Sequence, residues 1–520
     1  MSIFTSVRVP RRKRNTFNLS HGAKLSCNMG QLVPFVCEEV LPGDTWKMST
    51  ESLVRFAPLV APIMANVQVY THFFFVPNRL IWDNWETFIT SAPNAQDIPV
   101  HPFVTFSSEQ SIGSLVDYLG LPTGVSNIGK VSSLPFRAYQ LIYNEYYRDQ
   151  NVEDELKIPR GDGSDDASEV WNVLGTLRNR CWKKDYFTSA LPFVQRGPEA
   201  TLPLGGDAPV NISADGPLSL KQDIGIDVPG RGLQASQAGT LKPSEGYFGV
   251  GTAADLAGRY NAGLQGTADL SEASAVSINE LRRANALQKW LEISARVGAR
   301  YKEQLLGFFG VVSKDARLQR PEYLGGGVSP VVVSEVLQTS STSETSPQAN
   351  MAGHAISAGT TYQFKKYFTE HGFLIGIMSV IPDATYQQGI PKRFLHLDNM
   401  DYAFPQFAHL GEQPILDKEI YVGEGDGNGV FGYTPRYAEY KYEPSRVHGD
   451  FRTTLNFWHL GRIFSNRPAL NADFMHVNPA DLERIFALND KGATQKLWIQ
   501  LYNHCYAKRV LPKYGTPQLI

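Results

Sequence analysis

The side chains able to do chemistry in this chain fall into four sets, and none completes a catalytic pattern. Two acidic, glycine-rich turns come first: Gly161-Asp162-Gly163-Ser164-Asp165-Asp166 and Glu424-Gly425-Asp426-Gly427-Asn428-Gly429. Such turns could offer hard oxygen ligands to a divalent cation such as Ca²⁺, but neither follows the EF-hand pattern, and acidic glycine-rich turns are usually just solvated. Nothing else in the sequence asks for a cofactor. The eleven histidines are scattered without a ligand-like pair, and Cys27, Cys37, Cys181 and Cys505 form neither a CxxC nor a zinc spacing. A GxSxG elbow, HExxH, a P-loop and a complete GxGxxG are all absent. Gly249-Val250-Gly251 lacks the third glycine that a phosphate cradle needs. The enzyme reading is therefore weak.

The fourth set is basic and sits at the two ends. Residues 1–37 hold Arg8, Arg11, Arg12, Lys13, Arg14 and Lys24 with no acid, and residues 491–520 hold Lys491, Lys496, Lys508, Arg509 and Lys513, again with no acid. The net charge of −2, from 49 basic against 51 acidic side chains, thus conceals +11 at the ends and −13 in between. Exposed charges farther apart than roughly 8 Å are largely screened at physiological salt. The ends therefore stay locally cationic and able to meet a polyanion. Arg8, Arg11, Arg12, Lys13, Arg14, Lys508, Arg509 and Lys513 are the candidate nucleic-acid contacts. The plainer alternative is a pair of solvated tails.

The elements that must position these residues read mainly as strands. Residues 66–76 alternate Val67, Val69, Thr71, Phe73 and Phe75 on one face and stop at Pro77, residues 330–337 are β-branched, and residues 436–442 alternate tyrosine with charge as a half-exposed strand would. Residues 373–381 (FLIGIMSVI) form the longest apolar run. Nine residues is half what a membrane helix needs, so the run reads as a strand buried on both faces. Helices are expected at 136–148, with Tyr139, Ile142, Tyr143 and Tyr146 at helical spacing, and after Asn478-Pro479. A long one is expected over 277–306, capped by Ser277 and Glu280. There Leu281, Ala284, Leu287, Leu291, Ala295 and Gly298 make an apolar stripe, backed by Arg282, Lys289, Arg296 and Arg300. A core-packed helix with a solvated outer face is the favoured reading of that pattern over nucleic-acid contact.

Composition agrees. The 520 residues are 42% apolar and 11% aromatic, which excludes disorder throughout, and 45 Gly with 32 Pro fit short strands and long loops. Four cysteines are too few for a disulfide scaffold, and the basic residues near the start are followed by no apolar stretch of the signal-peptide kind, so reduced thiols and assembly in a cytoplasm are expected. Residues 197–276 differ from the rest, with 14 glycines and only three aromatics (Tyr247, Phe248, Tyr260). They read as an inserted excursion of the kind that carries recognition.

Several stretches go further. FNLSHGAKLSCNMGQLVP (17–34), EEVLPGDTWKMSTESLVRFAPLVAPIM (38–64) and VYTHFFFVPNRLIWDNWE (69–86) closely resemble the major capsid proteins of gokushoviruses. These belong to the microviruses, small tailless single-stranded-DNA bacteriophages. The resemblance continues through PFRAYQLIYNEYYRDQN (135–151), DARLQRPEYLGGG (315–327), TSPQANMAGHAIS (345–357), DYAFPQFAHLGEQPIL (401–416) and GYTPRYAEYKYEPSRVHGDFR (432–452). It covers nearly the whole chain except 197–276.

The resemblance implies a mainly β chain: an eight-stranded antiparallel jelly roll, or β-sandwich, with long interstrand insertions and a few helices. It implies self-assembly into a T=1 icosahedral shell in the host bacterial cytoplasm, enclosing a circular single-stranded DNA genome. The partners it implies are an internal scaffolding protein, a DNA pilot protein, a small basic DNA-binding protein and a host cell-surface receptor. On this reading 1–37 is a basic arm, 38–196 and 277–490 are the two parts of the jelly-roll core, 197–276 is a surface insertion forming a threefold protrusion that engages the host, and 491–520 is a basic segment. The competing reading is a β-sandwich carbohydrate-binding protein or glycosidase, which would run as a monomer with sugar affinity. A single-strand-binding protein fits less well, because only the ends are basic.

Overall fold

A computed structural model describes residues 13–90, 98–198, 210–213, 265–268, 278–339, 342, 348–423, 425, 427–488 and 494–514. The chain divides into two units, Met1–Arg196 with Ser294–Ile520, and Gly197–Ile293.

Eleven strands of the first unit build two antiparallel sheets: β1 (Asn15–Asn18), β2 (His21–Cys27), β3 (Val33–Val40), β4 (Thr45–Phe56), β5 (Val67–Pro77), β6 (Glu322–Pro330), β7 (Val332–Leu337), β8 (Met351–Thr360), β9 (Phe364–Tyr367), β10 (Gly372–Pro382) and β11 (Leu497–Arg509). The first sheet has seven strands in the order β1-β11-β4-β8-β7, with β2 also on β11 and β9 also on β4; the second has four, in the order β6-β5-β10-β3. Two long excursions, residues 78–321 and 383–496, interrupt this set.

One core serves both sheets. Trp46, Met48, Val54 and Phe56 of β4 and Leu497, Ile499 and Leu501 of β11 meet Phe35 of β3, Phe73 and Phe75 of β5, and Leu374 and Val380 of β10. The expected alternation on β5 holds: Val67, Val69, Thr71, Phe73 and Phe75 are all buried on the core side. Every residue of β10 is buried, as the unbroken apolar run demands. The reason is a second core on the far side of that sheet. Phe74 and Val76 of β5 and Phe373, Ile375 and Ile377 of β10 pack there under helix α1 (Leu134–Ile142) and its neighbouring loops. Helix α1 is buried nearly all round, including Arg137, whose Nε and Nη2 both bond Asp165 at 2.9 Å. A third cluster, around Tyr186, Phe187, Tyr386 and Phe431, lies within the excursions.

Four expected elements differ. The helix expected over 277–306 is two helices, α2 (Ile278–Val297) and α3 (Tyr301–Phe309). Gly298 has φ +113°, a conformation that L side chains rarely adopt, and the Arg300 N–H donates to Glu303 Oε2 at 3.1 Å to start the second helix. Ser277 lies outside the described residues. Residues 330–337 are split between β6 and β7, which sit in different sheets. Residues 436–442 are not a strand: Tyr437 is left-handed (φ +61°) and Ala438–Tyr440 form a 3₁₀ turn. The segment after Asn478 is likewise 3₁₀, Pro479–Ile485, burying Leu482 and Ile485. The second unit contains an antiparallel strand pair, Val210–Ser213 with Gln265–Ala268, and most of α2. No helix among the described residues is long and apolar enough to cross a membrane.

Candidate nucleic-acid interface

The two basic ends meet on one sheet. Strand β11 alternates strictly, with Leu497, Ile499, Leu501, Asn503, Cys505 and Ala507 buried and Trp498, Gln500, Tyr502, Tyr506 and Lys508 exposed, so one side of the strand belongs to the core and the other to solvent. Strand β1 pairs with its end: Thr16 stands opposite Lys508 and Asn15 opposite Arg509. The Asn15 side-chain amide donates to the Leu511 carbonyl at 2.7 Å, closing the join. Lys13 and Arg14 are therefore delivered next to Lys508, although nearly 500 residues of chain separate them.

Each described candidate has a distinct setting. Arg14 lies 5.3 Å from the ring centre of Tyr367, and its guanidinium reaches the Tyr367 hydroxyl at 3.4 Å. Lys13, Lys508 and Lys513 are exposed. Arg509 points the other way. Its Nε bonds the fully buried Asp44 at 2.9 Å, its Nη2 donates to the Glu39 carbonyl at 2.6 Å, and its guanidinium lies 5.1 Å from the Trp46 ring centre. That charge is committed to the fold. Arg8, Arg11 and Arg12 lie outside the described residues.

The register adds cations from the middle of the sequence. On the solvent side, β4 presents Lys47, Glu51 and Arg55 opposite Tyr506, Tyr502 and Trp498 of β11. Strand β2 presents Lys24 opposite Gln500, and β9 presents Lys365 opposite Lys47. Six cations (Arg14, Lys24, Lys47, Arg55, Lys365 and Lys508) thus share a face with the carboxylate of Glu51, which His504 holds at 3.1 Å. Among the described residues none of Lys24, Lys47, Arg55, Lys365 and Lys508 has a carboxylate partner. Sequence reasoning missed Lys47, Arg55, Lys365 and the aromatic members of this face. The signal was present in residues 497–508, where every second residue is apolar or small and those between are Trp, Gln, Tyr, His, Tyr and Lys.

The other candidates are occupied by structure. In the 161–166 turn, Asp162 accepts from Trp82 Nε1 (2.5 Å) and Asn84 Nδ2 (2.9 Å), Asp165 holds Arg137, and Asp166 accepts from the Thr105 N–H (2.5 Å). Glu424 and Asp426 of the second turn lie outside the described residues, and Asn428 accepts from Lys418 Nζ at 2.8 Å. No group of three or more potential ligands is arranged to hold a metal among the described residues. Burial pushes the Cys27, Cys37 and Cys505 thiols up to about 12, so they are not nucleophiles at neutral pH. Of the basic stripe on α2 and beyond, Arg296 pairs with Glu412, while Arg300 pairs with Glu303 and donates to the Arg148 carbonyl at 3.0 Å. Arg282 and Lys289 are exposed.

Residues 5–519 match the family described as "Capsid protein (F protein)". The chain is 39% identical to capsid protein VP1 of Chlamydia phage 1, over 99% of this chain and 97% of that one, and 39% identical to capsid protein VP1 of Bdellovibrio phage phiMH2K, over 97% and 95%. Capsid protein VP1 of Spiroplasma virus 4 is 34% identical over 100% of this chain and 97% of its own length. The chain belongs to the phage capsid-protein (F protein) family, as its resemblance to gokushovirus major capsid proteins implied, and is a structural protein and not an enzyme.

Proposed function

We propose that copies of this chain assemble into a T=1 icosahedral shell around a circular single-stranded DNA genome, as a component of the virion built in the host bacterial cytoplasm. The observation that carries the reading is the apolar surface left open on the second excursion. Phe394 (66% exposed), Leu397 (91%), Met400, Tyr402, Phe404 and Leu410 all lie within one run of 17 residues. Soluble monomers rarely expose contiguous apolar surface on that scale, whereas surfaces that bury against other chains do. A closed shell gives each subunit several such contacts.

The jelly-roll reading rests on strand order. Numbering β2, β3, β4, β5, β6, β8, β10 and β11 from one to eight, the first sheet runs 1-8-3-6 and the second 2-7-4-5. All connections but one cross between the sheets, the interleaving expected of two nested Greek keys. In this assignment β1, β7 and β9 are additions. Residues 1–37 and 491–520 turn their cations to the enclosed DNA while also supplying β2, most of β3 and β11 of the barrel, 38–196 and 277–490 supply its remaining strands and insertions, and 197–276 is the external, host-facing protrusion at the threefold axes. The scaffolding, pilot and small basic DNA-binding proteins of such phages are the expected partners, with a host surface receptor outside.

Two substitutions test this. Leu397→Asp should leave a folded subunit that no longer forms shells by size-exclusion chromatography and negative-stain microscopy. Replacing Arg11, Arg12, Lys13 and Arg14 together by Ala should leave shells intact and lower their DNA content. Unchanged packaging with unchanged inner density would remove the ends from the inner wall.

A further inference from the structure

The solvent side of the first sheet carries more than charge. Trp498, Tyr502 and Tyr506 recur at every fourth position of β11 on that side and are 42%, 44% and 40% exposed. Three large aromatics in line on a bare sheet face are costly in water unless something covers them. Each has a charged neighbour directly across on β4: Arg55, Glu51 and Lys47 respectively. Between Trp498 and Tyr502 lies Gln500, opposite Lys24; between Tyr502 and Tyr506 lies His504, edge-on to Tyr502 at 4.7 Å and bonded to Glu51. Lys47 and Lys365 are direct cross-strand partners. Like charges so placed destabilise a sheet until a counter-charge arrives.

Together these features select the occupant. Six cations facing one carboxylate, in a chain whose net charge is −2, complement a polyanion. They are not self-complementary: the same face of a second copy would set cation against cation. Exposed rings add a requirement that a duplex does not meet, since its bases are stacked inside and only single strands offer free base faces. The spacing of four residues is about 13 Å along the strand. One stacked pair of bases does not bridge that gap, so each ring takes a base of its own and the intervening phosphates run over the lysines.

We propose that the solvent face of β11, with its neighbours β2, β4 and β9, is a sequence-tolerant platform for single-stranded nucleic acid. Trp498, Tyr502 and Tyr506 stack on unpaired bases, and Lys24, Lys47, Arg55, Lys365 and Lys508 neutralise the phosphates between them. Arg14 places the basic arm at the end of this platform. The proposal rests on the reading of the chain as a DNA-enclosing capsid subunit and adds to it which surface holds the strand and by what contacts.

The test is binding of fluorescently labelled oligo(dT) by the purified full-length chain, followed by anisotropy over a salt series. Replacing Trp498, Tyr502 and Tyr506 together by Thr, which keeps β propensity, should weaken binding tenfold or more and leave the salt slope unchanged. Lys47→Ser with Lys365→Ser should instead lower the slope of log K against log salt by about 1.4, two single-strand phosphate contacts. An aromatic variant that binds as the parent does overturns the platform, and so does one that binds normally but fails to form shells, which would make this face a subunit contact. If that variant packages DNA normally while the Arg11–Arg14 variant does not, the platform is wrong and the inward-facing ends stand; if neither loses DNA, the platform and the inner-wall placement of the ends both fall. Ultraviolet cross-linking of unmodified particles serves should the triple variant not fold. Nucleotide adducts within residues 497–509 are expected, and adducts confined to other segments overturn the proposal.

Discussion

The two sheets of the first unit share a core and differ on their outer sides. The second sheet is covered: Phe74, Val76, Phe373 and Ile375 point away from the shared core and are buried again under α1 and the residues around it. The outer side of the first sheet is open among the described residues, and it carries lysines, an arginine and the aromatics of β11. An antiparallel sheet can leave one face to water, but it then usually shows small and mixed-charge polar residues there. A face that is aromatic and sets six cations against one carboxylate is shaped for something the single chain lacks. The covered sheet spends its outer residues on stability; the bare one leaves them for a ligand.

That contrast can be broken or sharpened by measurement. The largest effect belongs to the covered side. Arg137 is buried and serves Asp165, the Ile81 carbonyl and the Gly161 carbonyl. Arg137→Ala strands the Asp165 carboxylate and should cost about 3–5 kcal/mol of stability, read by denaturant unfolding of the unassembled chain. A smaller loss would mean that water reaches that layer.

Next is a pH effect on the same side. Burial, reinforced by Arg180, holds His72 down at about 4, and its Nδ1 lies 2.7 Å from the Tyr147 hydroxyl. In the unfolded chain a histidine titrates near 6.5. Between those values the unfolded state binds the proton and the folded state does not, so stability falls as pH drops from about 6.5 to about 4. The melting temperature should decline across that window, and His72→Gln should flatten the decline.

The smallest effect has the opposite sign and belongs to the bare side. Lys365→Thr removes the like-charge pair with Lys47 and should stabilise the DNA-free subunit by about 0.2–1 kcal/mol. If it destabilises, the lysines serve the fold and the contrast between the sheets is lost.

Much of the fold was legible where local pattern and burial agree. Residues 373–381 carry two-sided burial in their spelling and became a strand buried throughout, whereas residues 66–76 keep the expected one-sided alternation only as far as His72, beyond which Phe74 and Val76 are buried on the far side as well. Legibility failed where a single backbone position decides. Gly298 divides a continuous helical pattern, and Tyr437 turns an alternating stretch into a 3₁₀ turn because its neighbours fill the core at Ala438 instead of pairing with a strand. The site was half legible. The cationic ends could be counted, but alternation alone does not say that Lys47 and Lys365 stand opposite each other, since cross-strand register is set by pairing across hundreds of residues. Nor does charge say that Arg509 turns inward to a buried carboxylate while Lys508 stays outside; that follows from the parity of β11.

Taken alone, the sequence determined the class of molecule: aromatic-rich, strand-rich, without catalytic motifs, cationic at both ends, and written in the segments of a phage capsid family. Those properties are local or additive, so reading along the chain is enough to find them. Only the tertiary structure decided that the two ends close on one strand pair, and that lysines from residues 24, 47, 365 and 508 and aromatics from 498, 502 and 506 share one uncovered face. That decision is non-local, because it depends on which face of each strand the common core claims first.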